Sequence, residues 1–421
     1  MLDVSLQLLS VSPFPPSPPS FGAQRRMQGL LSALARRHPV TALSIVSAEL
    51  DRVEVEQAMR AYCREVSLVT AREGGRLAKR WLQLRALVSP RSFERLSMDL
   101  TAFRAELHRL LATRHFDAVL LEFPFLAGDV LADPPPGARR PLRVLDAHNI
   151  EFDLARQQAG REHAPLRRIH NSANWPKLRR EELDAFRRFD GVAFCSELDA
   201  AKARALVPSV NAVVVPNAVD VQSFAPAPGL PRPDGRTVLF FGAINYFPNV
   251  DGILFLVREV WPLLAAAHPG CRLKIVGQHP TREILAFQGP RVEVTGRVDD
   301  VRPHLASAAV TIVPLRIGGG TRFKILEAMA MARPVVSTTL GAEGLDARPG
   351  EDLLIADDAA GLAAAVGRVL TDPALGRALG EAGRKLVQER YSWDAAAGTL
   401  ERFLLSLGAR GVVAGEAAGR R

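Results

Sequence analysis

Cysteine is scarce. Only Cys63, Cys195 and Cys271 occur in 421 residues, far apart and with no Cys-x-x-Cys pair. That excludes a disulfide scaffold and a thiolate zinc site, and it fits a reducing compartment. Aromatic residues make up 6% of the chain, and the cations are scattered rather than interleaved with rings, which argues against a nucleic-acid surface. No apolar run reaches the roughly 18–20 residues that a membrane-spanning helix needs. Met1–Ser10 has no basic stretch and soon enters a proline cluster, so it does not read as a secretion signal. No Asp-x-Asp stands in a loop after a strand: Asp299-Asp300 reads as a helix start and Asp357-Asp358 as a helix cap. A Gly-x-Ser-x-Gly elbow and a Walker-type phosphate loop are also missing. The chemistry expected is therefore independent of metal ions and cofactors.

Hydrophobic residues at 48% and charged residues at 24% are ordinary globular usage, so bulk disorder is excluded. At about 150 residues per domain, the length predicts two or three domains. A net charge of +9 favours an anionic partner, either a lipid surface or a phosphorylated ligand.

Short apolar runs alternate with longer amphipathic stretches, the pattern of βα units around parallel sheets. The first strand is read at Val4–Leu9, followed by a proline-rich loop over Pro13–Gly22 and a helix over Gln24–Arg37. Strands follow at Val40–Val46, Asp117–Leu121, Leu142–Asp146, Gly191–Cys195 and Ala212–Val215, with a long helix at Leu166–Phe189. Phe224–Gly235 is dominated by proline, glycine and alanine and reads as a linker. Alternation then restarts. Strands are read at Thr237–Phe241, Arg272–Val276, Val292–Thr295, Val310–Val313 and Pro334–Ser337, and helices at Val250–Ala267, Arg322–Met331 and through Ala359–Leu407. The fold class is α/β, with two doubly wound domains facing a central cleft. In such sheets ligands lie beyond the carboxyl ends of the strands.

The most informative stretch follows the Val310–Val313 strand: Pro314-Leu-Arg-Ile-Gly-Gly-Gly-Thr-Arg-Phe-Lys-Ile-Leu-Glu327. Gly318, Gly319 and Gly320 let backbone approach a ligand, and the helix beginning there offers unpaired N–H groups. Arg322 and Lys324 place two cations at a helix N-terminus, where the dipole opposes them unless an anion is present. A diphosphate resolves that conflict. Glu327, one turn on, is placed to accept hydrogen bonds from a vicinal diol such as ribose. The plain alternative is a glycine loop that only turns the chain.

Gly-Gly-Gly-Thr-Arg-Phe-Lys-Ile-Leu-Glu-Ala-Met-Ala-Met-Ala-Arg-Pro-Val-Val resembles the donor-binding segment of retaining glycosyltransferases of family 4, whose GT-B fold pairs two Rossmann-like domains. Asp146–Glu151, Val215–Asp220 and Phe240–Asn249 also resemble segments of that family. The resemblance implies that Glu327 holds the nucleotide ribose, and that Arg322, Lys324 and the Gly318–Thr321 backbone, Gly319, Gly320 and Thr321 included, lie near the donor diphosphate. It implies His148 beside the donor sugar, Gly22 in a facing loop, and Gly242 and Asn217 among the donor contacts. Two departures stand out. Family members commonly carry a Glu eight residues before the ribose Glu, where this chain has Gly319, and cations after the first strand of the second domain, where Gly242–Asp251 has none. Arg322 and Lys324 are inferred to take over that charge.

On that resemblance, residues 1–222 form an acceptor-side domain, 223–236 a linker and 237–390 the donor domain. Residues 391–407 form a helix that packs back on the first domain, and 408–421 a flexible tail. His148 has a plain reading too, in a loop where Asn149 caps the next helix. The loop before Gln24-Arg25-Arg26 reads either as an anion or sugar contact or as a turn before a solvated basic face. Asn217 and Asp220 either touch ligand or shape the chain as it leaves the first sheet. Arg76–Val88 sets cations among Leu and Trp at helical spacing and reads as an anionic bilayer contact or a solvated helix. The activity implied is transfer of a sugar from a nucleotide-diphosphate sugar to a glycan or polyprenyl-linked acceptor with retention, in exopolysaccharide or cell-envelope glycan synthesis. The enzyme is expected in the cytoplasm or at the inner face of the membrane. The alternatives are a sugar-nucleotide epimerase and a non-catalytic nucleotide-sugar binder.

Overall fold

In the computed structural model, residues 5–70, 76–98, 100–132, 140–162, 164–318 and 322–418 are described. The chain divides into two compact units, one made of Met1–Pro216 with Asp394–Arg421 and the other of Asn217–Trp393.

The first unit is built on seven strands: β1 (Leu8–Ser12), β2 (Val40–Val46), β3 (Glu65–Thr70), β4 (Ala118–Glu122), β5 (Leu142–Ala147), β6 (Gly191–Phe194) and β7 (Ala212–Val214). They pair in parallel in the order β3-β2-β1-β4-β5-β6-β7. The strand order reverses between β1 and β4, and the loops after those two strands open at that switch point. Leu8–Ser12 and Ala118–Glu122 are buried along their whole length, as strands covered on both faces must be.

The second unit holds β8 (Thr237–Phe241), β9 (Arg272–Val276), β10 (Val292–Val294), β11 (Val310–Val313), β12 (Val335–Ser337) and β13 (Leu354–Ile355), all parallel, in the order β10-β9-β8-β11-β12-β13. Its two faces read directly off the strands. Val238, Phe240, Ile275, Ile312 and Val336 face one apolar cluster, while Leu239, Phe241, Val276, Val313 and Val335 face the other. Here the reversal lies between β8 and β11, so the loops after Phe241 and after Val313 meet at one place.

Several sequence expectations are corrected. The first strand is Leu8–Ser12 rather than Val4–Leu9, because the buried Leu-Leu-Ser-Val-Ser run lies between β2 and β4. The helix expected over Val250–Ala267 is helical over Phe247–Phe255, π-helical over Leu256–Val260 and helical again over Trp261–Ala267. Pro262, which has no N–H to donate, stands just after the widened turn. The tail expected to fray from Gly408 is helical, since the helix beginning at Trp393 runs to Ala418 even through Gly408, Gly411 and Gly415. The proline-rich stretch read as a linker packs within the second unit, where Val219, Phe224 and Leu230 join the apolar cluster.

Candidate functional site

In the second unit the β8 and β11 loops converge. After β8 the backbone enters Gly242 at φ +143, a conformation that L side chains rarely adopt. A Cβ there would lie 3.2 Å from Lys324 Nζ and 3.3 Å from Asn249 Nδ2. Lys324 is buried. Its ammonium donates to Asn249 Oδ1 at 2.7 Å and sits 4.2 Å from the centre of the Phe240 ring. Asn249 in turn donates to the Ala243 carbonyl at 2.8 Å, which fixes its amide. Burial, with Arg322 nearby, pushes the lysine down to about 7.

Arg322 caps the Phe323–Ala330 helix by position, without a side-chain cap bond and with no acidic residue in the first turn. Its guanidinium folds over Gly318, at φ +142, where a Cβ would come within 2.4 Å of it. Glu327 lies buried one turn into the helix and favours the charged form of Lys324. Arg316 pins the β11 loop, with 3.1 and 2.9 Å bonds to Asp251 and its guanidinium 4.4 Å from the Phe255 ring. The structure thus gathers Gly242, Gly318, Arg322, Lys324 and Glu327 into one cluster. Gly319, Gly320 and Thr321 lie outside the described residues. Asn249, within a stretch quoted from the sequence but not singled out, emerges as the residue that holds the lysine.

The first unit carries a second buried cluster at its own switch point. Arg26, on the helix Gly22–Leu34, is 1% exposed and grips Asp146 through Nε at 2.8 Å and a terminal nitrogen at 2.6 Å. The same guanidinium donates to the Val215 carbonyl at 2.9 Å. The reading of a solvated basic face therefore fails for Arg26, because its partner comes from β5. Burial opposes the charge on Asp146, but Arg26, together with His148 and the hydrogen bonds to the carboxyl, keeps it below its usual range. Glu122, at the end of β4, meets His148 Nε2 at 2.7 Å. Burial beside Asp146 raises Glu122 well above the carboxylate range, and burial pushes His148 down to about 4. The cluster is thus a charged Arg26–Asp146 pair beside a carboxyl that burial drives toward its neutral form and an imidazole that is neutral at pH 7. His148 stacks on Phe123 with ring centres 4.2 Å apart. Phe123 itself stands at φ +67, a strained backbone for a bulky residue.

Glu122, Asp146 and His148 have ligand atoms within 4.8 Å of one another, the one such group among the described residues. It does not suit a metal ion: the Arg26 guanidinium already neutralises Asp146 and would repel a second cation. Asn149 does not cap the Glu151–Arg161 helix. Glu182, from the Pro165–Arg188 helix, accepts the N–H groups of Glu151 and Phe152 at 3.0 and 2.9 Å, while Asn149 donates to the Glu151 side chain at 3.4 Å. Gly22 is the first residue of its helix. Asn217 is buried at the start of the second unit, and Asp220 is a turn former that accepts from Gln222 and Ser223. Asp358 caps the Ala359–Thr371 helix, whereas Asp357 instead holds Thr339.

Residues 235–372 match the family model described as glycosyl transferases group 1. Phosphatidyl-myo-inositol mannosyltransferase of Mycolicibacterium smegmatis is 34% identical over 212 residues, 48% of this chain and 54% of that one. An uncharacterized 44.6 kDa protein in the cps region of Klebsiella pneumoniae is 24% identical over 61% of this chain and 66% of its own length. The chain spans about half the length of the mannosyltransferases it matches. Among solved structures, sucrose-phosphate synthase from Thermosynechococcus elongatus superposes with a TM-score of 0.73 at 20% identity, covering 96% of this chain and all of that one. Anabaena HepE, solved with UDP and glucose, gives 0.65 at 14% identity over 95% of this chain and all of its own. Two Rossmann-like units of parallel sheet are the make-up of the GT-B fold. The second unit therefore carries a domain of the glycosyl transferases group 1 family.

Proposed function

We propose that this protein transfers a hexose from a nucleotide-diphosphate sugar to a glycan or lipid-linked acceptor with retained configuration, in exopolysaccharide or other cell-envelope glycan synthesis. The observation that carries the reading is the pair Arg322 and Lys324 at the Phe323–Ala330 helix N-terminus, on the switch point of the second sheet. Two cations at the N-terminus of a helix that has no acidic residue in its own first turn suit a diphosphate. Glu327 suits the ribose diol. The names of similar proteins agree: one is a phosphatidylinositol mannosyltransferase, and HepE was solved with UDP and glucose.

As the sugar C1–O bond breaks, negative charge gathers on the departing diphosphate, and Arg322, Lys324 and the helix N–H groups stabilise it. The acceptor hydroxyl forms the new bond to C1, and its proton passes to the leaving phosphate. His148, neutral and held by Glu122, orients a sugar hydroxyl through a hydrogen bond. The donor contacts of this reading are the Gly318–Thr321 backbone, Gly242 and Asn217, with Gly22 at the start of the first helix. No described helix is long and apolar enough to cross a membrane. The reading places the enzyme in the cytoplasm, meeting its acceptor at the inner membrane face.

A panel of nucleotide sugars, read by thermal shift and then by turnover with a membrane lipid extract, tests this. A matching donor raises the melting temperature, and Arg322→Ala or Lys324→Ala lowers turnover about tenfold or more. Full turnover in the double variant would remove these residues from the reaction.

A further inference from the structure

Large apolar side chains are normally covered, yet two neighbouring helices of the first unit leave theirs in solvent. On Arg76–Val88, Trp81, Leu84 and Val88 are 73%, 58% and 86% exposed, at spacings that put them on one face. On Pro165–Arg188, Leu166 and Ile169 are 83% and 60% exposed, again one turn apart. The two helices are tied together, since Lys177 donates to the Ala86 carbonyl and, at 3.2 Å, to that of Leu87, while Ala86 is buried. Arg180 donates to the Pro90 carbonyl. The exposed residues are therefore carried on a fixed pair of helices.

The charge around them is mostly positive, and the nearby carboxylates Glu181 and Glu94 are occupied in bonds with Ser92 and Asn174. Residues 74–93 contain five Arg or Lys and no carboxylate, and residues 163–180 contain another five and none. Arg85, Arg91, Arg167 and Arg168 are exposed. Scattered exposed leucines need no explanation, but apolar side chains framed by cations do. We propose that the face shared by these two helices docks on an anionic lipid bilayer, with Trp81, Leu84, Val88, Leu166 and Ile169 entering the interface and the arginines meeting headgroup phosphates. A second copy of this chain is the poorer occupant, because a self-complementary contact would set the same cations against each other. The second helix, whose overall apolar pattern is weak, adds a contribution that the sequence stretch Arg76–Val88 alone did not disclose.

The proposal rests on the transferase reading for its purpose, since a lipid-linked acceptor lies in that plane, but its test uses neither donor nor acceptor. The full chain is sedimented with vesicles of phosphatidylcholine and with vesicles that also contain phosphatidylglycerol. Binding is expected to the second alone and to weaken with added salt. Trp81→Glu with Leu84→Glu should weaken it about tenfold or more, and so should Leu166→Glu with Ile169→Glu. These positions are exposed, so the variants keep the parent's melting temperature and its donor-induced shift. Equal sedimentation of variants and parent, equal binding to neutral vesicles, or dimerisation in free solution that Leu84→Glu abolishes would each overturn the proposal. Loss of the donor shift in the parent would sink the transferase reading and leave the docking face untouched.

Discussion

Lys324 is the residue on which the proposed donor site turns. Burial and Arg322 hold it down to about 7, so near neutrality the unliganded site is only part protonated. A bound diphosphate favours the ammonium and raises its pKa, so binding takes up a proton above pH 7. Donor affinity should therefore fall as the pH is raised from about 7 to about 9, and calorimetry in two buffers of different ionisation heat should show proton uptake. Zero uptake would take Lys324 away from the phosphates. The sign for stability runs the other way. A lysine depressed from 10.5 to about 7 costs the empty protein stability while it is charged, and stability from this group rises between those two values. Arg322, Lys324 and Glu327 were legible in the sequence because two cations at a helix start are locally inconsistent without a ligand. Arg26 was not, because what makes it a buried residue is Asp146, 120 positions away.

At the scale of elements, the Glu151–Arg161 helix shows how a cap is borrowed. Its N-cap residue, Ile150, makes no side-chain bond, and Glu182 from the next helix supplies both acceptor oxygens. Glu182→Ala leaves two N–H groups without that carboxylate and should cost about 1–3 kcal/mol in urea unfolding. Glu182→Gln, which keeps one acceptor, should cost less, and an unchanged midpoint in the alanine variant would rule this role out. Asn149 misled the sequence reading because a residue of cap type stood in the right place, while the true acceptor, Glu182, lay 30 positions beyond Phe152. The central strands were legible as short, mostly apolar and uncharged runs, buried along their whole length, Val40–Val46, Thr237–Phe241 and Val310–Val313 above all. β3 was missed because Glu65, Ser67 and Thr70 break its apolar run and its burial alternates, as suits the last strand of a sheet. β13 has two residues, too few to carry any period.

At the scale of the whole molecule, the first unit is discontinuous in sequence. Asp394–Arg421 cluster with Met1–Pro216, and the contacts are specific. Glu401 meets Arg37 at 2.8 Å and His38 at 3.1 Å, and Phe403 and Leu407 lie so close to Gly191 that a Cβ there would come within 2.5 and 2.9 Å of them. Leu400, Leu404 and Leu407 are buried. Ending the chain at Trp393 would bare their partners. At about 1.5–3 kcal/mol per buried leucine, that loss is enough to unfold a marginal domain. Calorimetry of the shortened chain should show the first unit's transition lowered or lost and the second's retained. Equal transitions in both chains would deny the helix its place.

That arrangement fixes an order of assembly on the ribosome. Asn217–Trp393 is one continuous stretch that holds all its own residues, whereas Met1–Pro216, made earlier, stays open until Asp394–Arg421 have been added. A chain cut short before Asp394 would thus carry a finished Asn217–Trp393 unit and an incomplete Met1–Pro216 unit, and proteases would find the fault at the older end.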